Sequence, residues 1–243
     1  MQIKKTQIAV FAGLALAGGA AFAQTKAPEP DYTFAFNVGA VTDYRYRGIS
    51  QSRLDPAIQG GIDFTHKSGF YLGTWASSIK WIKDSGGGAN AEVDFYGGYK
   101  STYKDFGYDV GVLTYVYPSN DLATSADTTE IYGALTYGPA TLKYSHAVTN
   151  LFGFSDSKNS YYLDLSAGFD LGGGLMLTPH IGYQKVKNTS GASYTDYSLT
   201  ISKDFNGLVP SLAIVGTDND DYRGKYDKNL GKATLVLGLK YNF

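Results

Sequence analysis

From Tyr32 to the C-terminus, apolar and polar positions alternate with a period of two, the spacing of strands whose two faces meet different surroundings. The run YTFAFNVGAVTDYRYR sets Tyr32, Phe34, Phe36, Val38, Ala40, Tyr44 and Tyr46 on one side. Thr33, Asn37, Gly39, Asp43, Arg45 and Arg47 fall on the other. In AIQGGIDF, Ile58, Ile62 and Phe64 oppose Gln59 and Asp63. AEVDFYGGYK sets Val93, Phe95 and Tyr99 against Glu92, Asp94 and Lys100, and SYYLDLSAGF sets Tyr161, Leu163 and Leu165 against Asp164 and Ser166. The terminal ATLVLGLKYNF ends the series with Leu235, Leu237, Leu239, Tyr241 and Phe243 opposite Thr234, Lys240 and Asn242. Twelve such runs lie near 32–47, 54–66, 69–80, 90–102, 106–117, 128–138, 140–149, 160–170, 174–186, 195–204, 208–216 and 232–243.

The joints between runs alternate in length. HKSG, YKDFG, YGPA, LGGGL and DFNGL are tight, while GISQSRLD, WIKDSGGGAN, PSNDLATSADT, TNLFGFSDSKN, KNTSGASYT and TDNDDYRGKYDKNLG are long and polar. An up-and-down meander with one cramped and one roomy end produces this order. It predicts an all-β fold, a transmembrane antiparallel β-barrel of about twelve strands with short periplasmic turns and long extracellular loops. Lipid cannot hydrogen-bond a sheet edge, so such a sheet must close on itself. Ten residue steps from Phe34 to Tyr44, at ~3.3 Å each and a ~40° tilt, would span roughly 25 Å between two aromatic girdles. A soluble sandwich or lipocalin-like barrel also alternates, but needs neither girdles nor loops that are long only at every second joint.

Composition agrees with strands. Tyr is 21, Phe 13 and Gly 30 of 243 residues, and no cysteine is available for staples. The N-terminus, MQIKKTQIAVFAGLALAGGAAFAQ, reads as a signal peptide over 1–23, cut after Ala23, followed by a linker over 24–31 and the barrel over 32–243. Removing Lys4 and Lys5 from 21 basic residues leaves 19 against 22 acidic ones, a mature charge near −3 that gives nucleic acid no purchase. These features place the mature chain in the outer membrane of a Gram-negative bacterium, surrounded by its lipid. The aromatic end of the last strand, Phe243, resembles the signal read by the barrel-assembly machinery.

If Tyr44 and Tyr46 belong to the outer lipid girdle, Asp43, Arg45 and Arg47 point inward, since a lipid-facing Arg at mid-depth costs ~2–4 kcal/mol. Glu92, Asp94, Glu130 and Asp164 then occupy the outer half of the lumen on the fourth, sixth and eighth strands, with Asp63, Lys143 and Lys240 deeper. Two readings follow. Opposed basic and acidic walls orient small polar solutes passing through a wet constriction. Alternatively the arginines reach across, pair with the carboxylates and plug the barrel, which then acts through its outer loops. Twelve strands lie between the eight that side chains fill and the sixteen that leave a channel.

An enzyme finds little support. Ser145 and His146 are strand neighbours facing opposite sides, His66 sits at a tight turn, and inward His180 has no evident nucleophile or acid beside it. No catalytic residue and no cofactor is expected. Asp218, Asp220, Asp221 and Asp227 crowd the last loop, but EF-hand spacing is missing, so they read as a solvated loop with only a weak calcium signal.

The stretches FNVGAVTDYRYRGISQSRLDPAIQGGIDF, GFYLGTWASSI and AEVDFYGGYK resemble the TorF-type porins, a proteobacterial outer-membrane family first described, as Gcw_chp, without a function. The likeness spans the mature chain and is sharpest in its first third. It implies an outer-membrane barrel with a channel role, and it transfers no catalytic or ligand residue and no solute.

Overall fold

The computed structural model describes residues 30–243, so the expected signal peptide and all but the end of the linker lie outside the described residues. The wall begins with β1 (Tyr32–Val41); two short strands, β2 (Arg45–Tyr46) and β3 (Ile49–Ser50), come next in the chain. The wall then continues through β4 (Ala57–His66), β5 (Phe70–Ser78), β6 (Ala91–Tyr103), β7 (Phe106–Val116), β8 (Thr128–Tyr137) and β9 (Ala140–Ala147). It is completed by β10 (Tyr161–Ala167), β11 (Phe169–Gly172), β12 (Leu175–Lys185), β13 (Tyr194–Lys203), β14 (Leu208–Thr217) and β15 (Thr234–Asn242). Each wall strand pairs antiparallel with its sequence neighbours, and β1 pairs with β15 through Asn37↔Asn242 to Val41↔Gly238. The sheet is therefore closed and has no free edge. β10 and β11 form one wall strand broken at Gly168, which makes a twelve-strand barrel.

Alternation sorts the side chains as the pattern predicts. Phe34, Leu72, Phe95, Leu163 and Leu237 face outward and are exposed. Aromatic rings pack along the short-turn end, among them Phe106 on Tyr137 at 4.9 Å, Phe70 on Tyr99 at 5.1 Å and Phe36 on Phe243 at 5.8 Å. At the long-loop end Tyr144, Tyr161 and Tyr183 adjoin at 5.7 and 6.3 Å. So much exposed hydrocarbon suits an apolar solvent and would be a liability in water.

The buried apolar core lies at the long-loop end and not at mid-barrel. The largest cluster joins Tyr44, Ile79, Ile82, Tyr115 and Tyr117, with Ile82 fully buried on a one-turn helix α1 (Trp81–Asp84). A second gathers Leu151 and Val186, a third Ile49, Tyr194 and Leu230. The long loops are thus packed caps.

The first run departs from expectation. β1 stops at Val41, and residues 43–52 leave the wall and turn inward. Tyr44 is 7% exposed and Tyr46 packs on Tyr115 and Phe152, so neither belongs to a lipid girdle, and the span measured from Phe34 to Tyr44 does not describe the wall. Period-two alternation persists in a stretch that is a hairpin, because a hairpin also has two faces.

Candidate functional site: the lumen and its inward hairpin

Strands β2 and β3 pair as Arg45↔Ser50 and Tyr46↔Ile49, leaving Arg47 and Gly48 as a two-residue turn. Both have positive φ, 45° and 79°, the requirement of a type I′ hairpin. At Gly48 a Cβ would meet Asp196 Cβ at 2.7 Å and Thr217 Cγ2 at 2.6 Å, so only glycine lets the tip reach the wall. Arg47 bears a left-handed conformation unusual for its type, and its contacts hold it there. Nη1 and Nη2 donate to the two Glu130 oxygens at 3.0 and 2.7 Å, and Nη1 also donates to Gln184 Oε1 at 2.6 Å. The guanidinium lies 4.2 Å from the Tyr162 ring centroid and 4.8 Å from that of Tyr46. Since β1 carries the hairpin, and β8, β10 and β12 flank the far wall, Arg47 spans the lumen.

Arg45 works differently. Nε donates to Asp43 Oδ2 at 2.5 Å, and Nη1 donates to the Gly48 and Leu230 carbonyls at 2.8 and 2.9 Å, tying the hairpin to the last long loop. Ser50 Oγ donates to Asp43 Oδ1 at 2.5 Å, so Asp43 and Arg45 form the hairpin's internal brace and not a wall. The Tyr44 hydroxyl donates to Glu92 Oε1 at 2.5 Å; Glu92 is 1% exposed. Asp94, two residues on, is also buried, and its Oδ1 has no hydrogen-bond partner. The sequence-predicted acids on β6 and β8 therefore do face inward, but Glu92 and Glu130 bind the hairpin's tyrosine and arginine, and Asp94 binds neither. Among the described residues, only Arg47–Glu130 joins a predicted base to a predicted acid across the axis.

Below the hairpin the lumen is lined by hydroxyls and charges. Tyr96 donates to Asp63 Oδ1 at 2.6 Å, and Tyr71 donates to Asp109 at 2.6 Å while touching the Tyr132 hydroxyl. A cavity of about 400 Å³ is bordered by Lys143 on β9, Asp164 on β10, His180 on β12 and Asp196 on β13, with Arg45 and Arg47 at its roof. His180 Nε2 lies 2.8 Å from Asp164 Oδ2, and Nδ1 lies 3.6 Å from Asp196 Oδ1. Tyr162 donates to Asp196 Oδ2 at 2.9 Å. The expectation that no acid reaches His180 is thus overturned: it is bracketed by two. Lys240, on β15, stands exposed and outside this group.

Sequence reasoning missed Asp196, Tyr162, Gln184 and Asp109. Asp196 and Gln184 were legible in principle, since both take the inward phase of their strands. His146 faces outward toward Tyr144 and Asn159, and His66 meets Ser68 at the first tight turn. In the last loop, Asp218 accepts from the Thr195 amide at 2.7 Å and Asp220 from Asn229 at 2.6 Å, while Asp227 lies 3.8 Å from Arg223. Asp221 accompanies them without convergence, and no group of three or more ligating side chains forms among the described residues.

No curated protein matches this chain in sequence. Similar solved structures include KdgM porin, at a TM-score of 0.58 and 10% identity over 86% of this chain and 99% of that one. A KdgM porin in complex with disordered oligogalacturonate gives the same figures. NanC porin follows at 0.56 and 10%, over 86% and 99%. At such identities the likeness is one of fold. Residues 25–243 match the family Gcw_chp, described as a bacterial protein of unknown function. Since that match covers nearly the whole chain, including all twelve wall strands and the inward hairpin, the protein belongs to the Gcw_chp family.

Proposed function

We propose that this protein is a non-enzymatic outer-membrane channel for small hydrophilic solutes, with its bore set at the outer mouth by the β2–β3 hairpin. The observation that carries the reading is the sorting of the closed wall: apolar outside, polar within, around a charged cavity of about 400 Å³. The short-turn end is periplasmic, and the capped end faces outward. The barrels of KdgM and NanC, both called porins, have the same architecture. Oligogalacturonate, an acidic polymer, is a poor guide to the solute here, because Arg45 and Arg47 are already committed to Asp43 and Glu130.

Planar-bilayer recording tests the proposal. Wild-type protein should give small, discrete conductance steps, and shortening the hairpin by replacing residues 44–50 with a glycine-serine link should enlarge them severalfold. Silence from both proteins would reject a channel. The Arg47–Glu130 contact favours a second reading, a closed barrel acting through its capped loops. That reading expects silence from the wild type and conductance only after the hairpin is removed.

A further inference from the structure

Lys143 and Asp164 stand directly opposite each other in the β9–β10 register, both on the lumen face. Opposed charges on one face of an antiparallel pair ordinarily close on each other. These two diverge. The Lys143 ammonium lies 4.0 Å from the ring centroid of Tyr132 on β8, on one flank. Asp164 turns to the other flank, where Oδ2 meets His180 Nε2 at 2.8 Å on β12. Among the described residues Lys143 pairs with no carboxylate, and Asp164 Oδ1 accepts no hydrogen bond. Both side chains border the same cavity.

The other charges around that space are matched internally. Glu130 holds Arg47, Asp43 holds Arg45, and Tyr162 with His180 satisfies Asp196. What remains for a ligand is one ammonium and one carboxylate oxygen, parted by neighbours on either side and facing common solvent. A simple anion would gain Lys143 and be repelled by Asp164; a simple cation would meet the reverse. A molecule with both charges a few bonds apart satisfies both. We propose that the cavity is a subsite for small zwitterions of the amino-acid class, carboxylate toward Lys143 and ammonium toward Asp164. The proposal rests on the lumen being open to solutes, as the channel reading requires.

Four molecules of matched size separate the charges: glycine, cationic glycinamide, anionic glycolate and neutral glycolamide. Saturation-transfer NMR on the detergent-solubilised barrel should show glycine binding best. Lys143→Met and Asp164→Asn should each weaken it about tenfold or more, the value of one charge-assisted contact. The exchanged pair K143D/D164K should regain the preference, which a mere packing defect would not. Equal signals from the four molecules, no glycine binding, or a preference that survives both single variants would overturn the proposal. Glycolamide entry into proteoliposomes is measured alongside. Its failure with glycine binding intact strikes the channel reading and leaves the subsite standing.

Discussion

At the short-turn end the inward lysine Lys100 stays exposed, as does Lys240 on the last strand, and the aromatic surface lies outside the wall. At the long-loop end Glu92, Glu130 and Asp196 are each 1% exposed, and the apolar clusters lie inside. One end of the barrel is a wall around water; the other is folded like a small globular core. The difference arises from chain length. A two- or three-residue turn has nothing to fold inward, whereas the 42–56 connection can form a hairpin, cross the axis and bury its own tyrosines. A charge at the wet end is stabilised by solvent, but at the packed end it must find a partner, and Glu92, Glu130 and Asp196 each have one, whereas buried Asp94 has none.

Arg47→Ala should break this contrast most sharply. It strands Glu130, and removal of one partner from a buried ion pair costs about 3–5 kcal/mol. The unfolding midpoint of the detergent-solubilised protein should fall accordingly, with R47M/E130L recovering much of the loss because no charge is then left unpaired. A midpoint unchanged in R47A would mean that the mouth is as wet as the inner end, and the globular description of the caps would go.

The wall was legible in the sequence because lipid and lumen impose opposite demands on successive residues, and that demand repeats down every strand. Twelve strands, the loop alternation and the inward phase of Asp63, Glu92, Asp94, Glu130, Lys143 and Asp164 all follow from it. The hairpin was misread for the same reason: Tyr44 and Tyr46 keep the period, so alternation alone could not say where β1 stops. The usable signal was local. Arg47-Gly48 between two alternating pairs fits a two-residue turn, and Gly at its second position marks the left-handed conformation. Partners were beyond reach, since Arg47 and Gln184 stand 137 positions apart and meet only because the barrel closes. The bracketing of His180 by Asp164 and Asp196 has the same origin.

A matched pair of tyrosines sharpens the comparison at intermediate scale. Tyr44 donates to fully buried Glu92, and Tyr96 to Asp63 in the wetter part of the lumen, at nearly equal lengths of 2.5 and 2.6 Å. Tyr44→Phe leaves a buried carboxylate short of its donor and should cost about 1–3 kcal/mol. Tyr96→Phe lets water replace the hydroxyl and should cost about 0.5–1.5 kcal/mol. Thermal unfolding of the two variants gives the ratio. Equal losses would deny the gradient in burial from mouth to interior.

The smallest effect belongs to the rim, where Lys80 Nζ donates to Asp55 Oδ2 at 2.7 Å and both side chains remain partly in solvent, 42% and 35% exposed. That hydrogen bond, with the Lys80 charge behind it, holds the Asp55 carboxyl below its usual range. A carboxyl with a lowered folded-state pKa adds stability above its unfolded value, near 3.9, and loses it as pH falls through the lower folded value. Asp55→Asn should therefore destabilise the protein slightly at pH 7, by about 0.2–1 kcal/mol, and have no effect at a pH below the folded value. High salt should erase the difference at pH 7, because an exposed pair is screened, whereas the loss in Arg47→Ala should survive the same salt. Salt sensitivity then separates the two kinds of charge contact at one end of the barrel: those that hold the caps to one another in water, and those that hold the hairpin across the lumen.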